Sequence, residues 1–194
     1  MIRPIYLYGS EVLRKTCQNV DLNDKEAIDA LVQDLWDTLA VADGCGLAAP
    51  QIGVTSRVLV VDGTGMVEDM PYLKDFKRVM INPVILEESD QKCDYSEGCL
   101  SVPNIYYDVT RPKAIKVEYY DENLERKVEE FDKFDARMVQ HEMSHLDGNL
   151  FIDLVPQIRR KMLQGKLTNI SKGKVRTQYK TIIKSHYYGS ISRL

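Results

Sequence analysis

The stretch Gln140-His141-Glu142-Met143-Ser144-His145 constrains this chain more than any other, because it holds two of only three histidines, four residues apart, around a glutamate. Residues i and i+4 of a helix lie one above the other on one face. Both imidazoles can therefore reach a single divalent metal, with Glu142 beside it, where it can take a proton from a metal-bound water. A helix that merely displays two surface histidines is the competing reading, and the scarcity of histidine argues against it.

A catalytic zinc-type site needs three protein ligands and one open position, so the third ligand decides the chemistry. A glutamate well downstream is excluded, since no Asp or Glu follows Asp153. A third histidine after Gly148 is excluded too, because Phe151 stands where it would have to be. Asp147 lies just past His145 and faces away from the ligand side. Asp153 falls beyond the expected helix end, and His186 sits in the C-terminal tail. The third ligand is expected upstream.

Four cysteines are available there, Cys17, Cys45, Cys93 and Cys99, with no Cys-x-x-Cys pair to suggest a zinc ribbon or a redox motif. Cys17 reads as an ordinary half-buried thiol, and Cys93, in a polar run, as a bystander. Cys99 differs in its setting, Glu97-Gly98-Cys99-Leu100-Ser101-Val102-Pro103. A glycine before it and a proline four residues after it indicate a tight, irregular loop from which a thiolate can project. Cys93 and Asp153 stay open as alternatives.

Three ordered motifs now stand out: Gly44-Cys45-Gly46-Leu47-Ala48-Ala49-Pro50-Gln51, Glu97-Gly98-Cys99-Leu100-Ser101, and Gln140-His141-Glu142-Met143-Ser144-His145-Leu146-Asp147-Gly148. Together they make the chain similar to the peptide deformylase family, from about Ile5 to about Leu167. The resemblance implies a hydrolase that removes the formyl group from N-formylmethionyl nascent peptides, with Cys99, His141 and His145 holding one divalent metal. It favours iron(II), although zinc, nickel and cobalt suit the same ligands. A metallopeptidase or amidase with the same Cys/His/His centre is the alternative.

A metal with one open position lowers the pKa of water from ~15.7 towards ~7. Glu142 is placed to accept that proton and later hand it to the leaving amine. The developing oxyanion needs further donors. The resemblance assigns them to the Gln51 amide and the backbone N–H of Leu100. A loop-capping role is the plainer reading of Gln51.

Gly44 is well placed to end a helix in the left-handed conformation. Gly46, Ala48 and Ala49 are small enough for an extended peptide to approach and pair with the backbone. Phe134, Met138, His141 and His145 follow i, i+4, i+7, i+11 spacing, so an apolar surface runs into the metal. Phe134, Met138 and Cys45 would suit a methionine side chain, although the first two can equally be core. Gly44, Cys45, Gly46, Glu97, Gly98, Phe134 and Met138 are the candidate substrate-contacting residues. In resembling proteins the glutamate of the second motif pairs with an arginine, here Arg111. Arg137, one position off the ligand face, is expected to be exposed. Ser144 stands where many relatives carry aspartate, and Tyr106 where a basic residue is common.

The rest of the chain indicates an α+β fold, a single domain of antiparallel sheets packed around a central metal-binding His-Glu-x-x-His helix. Asn23 with Glu26 forms a capping box for a helix reaching about Ala42, with Ile28, Leu31, Val32, Leu35 and Leu39 inward. Strands are expected at Arg57–Asp62, Val79–Leu86, Ala114–Tyr120 and Arg126–Phe131, the last pair joined by a turn at Asp121-Glu122-Asn123. Asp132 caps the metal helix, which Gly148 ends. Pro156 opens another helix, to about Leu167, and 63–77 is a surface loop. Neither a signal peptide nor a membrane span is visible. Unpaired cysteines fit a reducing, cytoplasmic setting.

Residues 1–168 are read as the catalytic domain and 169–194 as a basic tail. After Asp153 the chain carries Arg159, Arg160, Lys161, Lys166, Lys172, Lys174, Arg176, Lys180, Lys184 and Arg193 and no acidic residue, within a net charge of −3. Such a segment packs on the acidic body, stays solvated, or contacts ribosomal RNA. No membrane or DNA partner is indicated.

Overall fold

Val58-Leu59-Val60-Val61 is apolar at consecutive positions, the pattern of a strand covered on both faces. In the structure, a computed structural model that describes residues 1–183, all four are fully buried. His186, Lys184 and Arg193 lie outside the described residues.

In chain order the elements are β1 (Ile5–Tyr6), α1 (Lys25–Ala42), β2 (Gly46–Ala48), β3 (Val58–Asp62), β4 (Lys77–Glu88), β5 (Lys92–Cys99), β6 (Val102–Pro112), β7 (Ile115–Tyr120), β8 (Arg126–Phe131), α2 (Phe134–Leu146), α3 (Gln157–Ser171) and β9 (Thr181–Ile182). Strands β2-β3-β4-β7-β8 form an antiparallel sheet, β5 and β6 a separate hairpin, and β1 and β9 a short parallel pair. Alternate residues of β3 serve opposite faces, as the strand period requires. Val58 and Val60 pack with Leu35, Leu39 and Ala42 of α1. Leu59 and Val61 pack with Val139, Met143 and Leu146 of α2. The five-stranded sheet thus lies between α1 and α2. A third cluster joins Ile105 and Val109 of β6 to Leu167 and Ile170 of α3.

Several local expectations are corrected. The α1 cap is Asp24, which accepts from the Ala27 N–H at 3.2 Å, whereas Asn23 bonds to Asp21 in a tight turn. At the other end Asp43, with φ 55°, takes the left-handed position assigned to Gly44. Aspartate tolerates that conformation, and Gly44 is needed for another reason: a Cβ there would lie 2.9 Å from Leu100 Cδ1. Asp132 does not cap α2; Asp135 instead accepts from the N–H groups of Lys133 and Ala136. The segment 63–77 holds two 3-10 turns and buries Leu73 and Phe76. Cys17 is buried rather than half-buried.

The loop expected around Cys99 is the end of a long hairpin, β5–β6, whose pairing becomes irregular between Glu97 and Cys99. Helix α3 continues to Ser171, past the expected end, and beyond it the chain returns to pair β9 with β1. Ile158 and Met162 of α3 are each 74% exposed. Among the described residues no helix is long and apolar enough to cross a membrane.

A bulge in β4, the central strand of the sheet, is tied to the segment before α1. Asn82, with φ 50°, accepts from the Val20 N–H at 2.9 Å and donates to the Val20 carbonyl at 3.0 Å. Asn82→Ala should cost about 2 kcal/mol, from two unpaired backbone groups and a disfavoured φ. Asn82→Gly should recover only the backbone part. Urea denaturation should show a lower midpoint with an unchanged slope, and an alanine variant as stable as the parent would remove the assignment.

Candidate metal centre

His141 and His145 sit one turn apart on α2, their ring centroids separated by 5.2 Å. The hairpin brings Cys99 to them, its Sγ 3.4 Å from His145 Nε2, and the ligand atoms of all three lie within 4.8 Å of one another. A tetrahedral ion with bonds near ~2.3 Å to sulfur and ~2.05 Å to nitrogen places those atoms about 3.5 Å apart. The triangle fits a divalent metal. The alternatives fall away: Cys93 is drawn to Arg137, and Asp153 pairs with Arg14 and accepts from the Leu150 N–H. Burial, with Glu142 nearby, pushes the Cys45 thiol up to about 12, so it stays protonated.

Glu97 holds this centre from below. Its Oε1 accepts from Arg111 Nε and Arg137 Nη1, both at 2.7 Å, and its Oε2 from Arg111 Nη2 at 3.0 Å. Its Oε2 also lies 2.8 Å from His141 Nδ1. A carboxylate on Nδ1 fixes the ring and turns Nε2 towards the metal position. Although burial opposes ionisation, His141 and Arg111 hold Glu97 well below the usual carboxylate range. Expected among substrate contacts, Glu97 has both oxygens occupied within the protein.

Arg137 is the clearest miss. It is 3% exposed and also donates to the carbonyls of Val109 at 2.8 Å and Cys93 at 2.7 Å. The available signal was its i, i+4 relation to His141, which puts both on one face of α2. Ser144 takes up the position of the expected outer carboxylate: its Oγ accepts from Arg111 Nη1 at 2.9 Å and donates to the Gln140 carbonyl.

The remaining residues surround one cleft. Gln51 is 1% exposed; its Oε1 accepts from the Ala48 N–H at 2.8 Å. Its Nε2 donates to Ser101 Oγ at 3.1 Å and lies 3.6 Å from Cys99 Sγ. It therefore caps its own loop while facing the metal position. Glu142 is buried, and its Oε2 has no hydrogen-bond partner among the described residues. Burial raises its pKa to about 7, with the nearby Glu97 adding to the shift and His141 opposing it. Gly46 makes room for it, since a Cβ there would lie 2.6 Å from Glu142 Oε1. Gly98 is crossed by the Tyr106 ring, 2.5 Å from a Cβ at that position. Phe134 and Met138 line the cleft and also pack in the core. Gly44, Cys45 and Leu100 complete that wall.

The family model described as "Polypeptide deformylase" matches residues 2–161. A peptide deformylase of Christiangramia forsetii is 40% identical over 187 residues, covering 93% of this chain and 95% of that protein. One of Pseudothermotoga lettingae is 44% identical over 179 residues, covering 92% and 98%. Among solved structures, the peptide deformylase of Thermus thermophilus superposes with a TM-score of 0.79 at 36% identity, covering 89% of this chain and 99% of that one. With fold, sequence and site in agreement, the chain belongs to the polypeptide deformylase family.

Proposed function

We propose that this chain hydrolyses the formamide bond of N-formylmethionyl peptides, releasing formate and a free amine, with Glu142 as the proton carrier. The observation that carries the reading is the Cys99, His141, His145 triangle beside a buried carboxylate oxygen that has no hydrogen-bond partner among the described residues. Cys99 of the hairpin with His141 and His145 of the His-Glu-x-x-His helix would hold a divalent ion, which would act as a Lewis acid and bring the pKa of water towards ~7. Glu142 then takes a proton from the attacking water and returns it to the departing nitrogen. The Gln51 Nε2 and the Leu100 N–H are the donors proposed for the oxygen that gains charge.

Substrate positioning follows from β2, an edge strand of the five-stranded sheet, whose Gly46 borders the cleft with Gly44 and Cys45. An extended peptide added there is read mainly through its backbone. Phe134, Met138 and Cys45 then receive the unbranched methionine side chain. Iron(II) is the favoured metal, with zinc, nickel or cobalt accepted by the same ligands, and Cys99 beside iron would be open to oxidation. The setting is cytoplasmic, and the basic C-terminal segment is proposed to meet the ribosome, where formylated chains emerge.

Glu142→Gln should retain stoichiometric metal while formate release from formyl-Met-Ala falls by about 10²–10⁴-fold. Cys99→Ala should lose the metal first. A Glu142→Gln protein that loses metal yet keeps its activity per metal would reverse these roles, and cleavage of the peptide bond without formate would favour an amidase. For the ribosome, Arg159, Lys161, Lys166 and Lys172 changed together to Gln should weaken binding and flatten its salt dependence, with free-peptide hydrolysis unchanged. Equal ribosome affinity at every salt concentration would dismiss that contact.

A further inference from the structure

The turn that carries Cys99 is gripped by two segments far from it in sequence. Its Ser101 carbonyl accepts from the Tyr8 N–H at 2.8 Å, and its Leu100 carbonyl accepts from the Tyr179 hydroxyl at 2.7 Å. Tyr8 follows β1, and Tyr179 precedes β9. These two strands are tied together where the Ile5 N–H donates to the Lys180 carbonyl at 2.8 Å and the Leu7 N–H to the Ile182 carbonyl at 3.0 Å. The arm between α3 and β9 is itself ordered by Thr177 Oγ1, which donates to the Tyr179 carbonyl at 2.7 Å. Its residues Arg176 to Tyr179 form a wall of the cleft, beside Asn104 and Tyr106. Val175 packs in the same cluster as Cys99, and Tyr179 in the same cluster as Leu100.

We propose that residues 174–182 are a working part of the active site, and that Tyr179 is a positioning residue which fixes the Cys99-Leu100-Ser101 turn through the Leu100 carbonyl. The turn bears one metal ligand and, on the deformylase reading, an oxyanion donor, so its placement affects both. Among the described residues the Tyr179 hydroxyl is the side-chain donor to that carbonyl, and removing it leaves the carbonyl to solvent. The Leu100 side chain lies against Gly44 and packs in the cluster of Leu39, while Tyr179 holds its carbonyl. The arm thus places a segment beyond all three sequence motifs in control of the second of them.

Tyr179→Phe in the full-length protein removes only the hydroxyl. The thermal midpoint should move by no more than about 4 °C. The kcat for formyl-Met-Ala should fall about tenfold with KM held within about twofold, as expected for misplaced reacting groups. In the metal-free protein, hydrogen exchange across residues 98–103 should quicken, a readout independent of turnover. Unchanged kcat and exchange, even with a lowered midpoint, would reduce Tyr179 to packing and overturn the proposal. If the parent protein released no formate, the deformylase reading would fail instead, and the exchange comparison alone would decide the role of Tyr179.

Discussion

The buried carboxylate of Glu97 is the interaction on which the rest of the site depends. It joins Arg111 of the hairpin to Arg137 and His141 of the metal helix. A lone carboxylate removed from water is costly, and the pairing here is what makes it tolerable. Breaking a buried pair by removing one member costs about 3–5 kcal/mol, because the other is left charged without compensation. Such an ensemble adds little net stability over apolar packing, so its value lies in geometry. It sets the rotation of the His141 ring and the distance between β5 and α2, and hence where Cys99 meets the histidines.

The same arrangement explains what the sequence could and could not reveal. Strand β3 and helix α1 were legible because apolar residues line faces that are buried against apolar partners. The metal ligands were legible because histidine is scarce and its spacing has a geometric meaning. Strand β5 was not, since Lys92-Cys93-Asp94-Tyr95-Ser96-Glu97 offers no apolar face. Its buried position is Glu97, covered because it is neutralised, and hydrophobic periodicity has no sign for that. Arg137 was misplaced for the same reason. The α1 caps differ by one residue from expectation, where Asn23 and Asp24, or Asp43 and Gly44, are chemically similar candidates and tertiary contacts decide between them.

The first motif shows how one small residue can satisfy two demands. Close approach of a peptide backbone suffices to explain Gly46 from the sequence, yet in the fold its missing Cβ is the space occupied by the Glu142 carboxylate. Gly44 stands in the same relation to Leu100, and Gly98 to Tyr106. Each glycine therefore serves a neighbouring side chain from elsewhere in the chain. Spacing within a motif cannot show this, because the partner is supplied by the fold.

Two glutamates close to one metal position are driven apart by their surroundings, and this separates their tasks. Glu97 is ringed by Arg111, Arg137 and His141, so it stays ionised and can only accept. Glu142 is equally buried but has an oxygen with no donor among the described residues, and desolvation lifts it to about 7. A bound cation would draw that value down, leaving the group charged until a proton is offered to it. Exchanging the two environments would ruin both tasks: a clamped Glu142 could not carry a proton, and a neutral Glu97 could not orient His141. The division between a fixed anion and a proton carrier is thus written in the donors around each carboxylate rather than in the residue type.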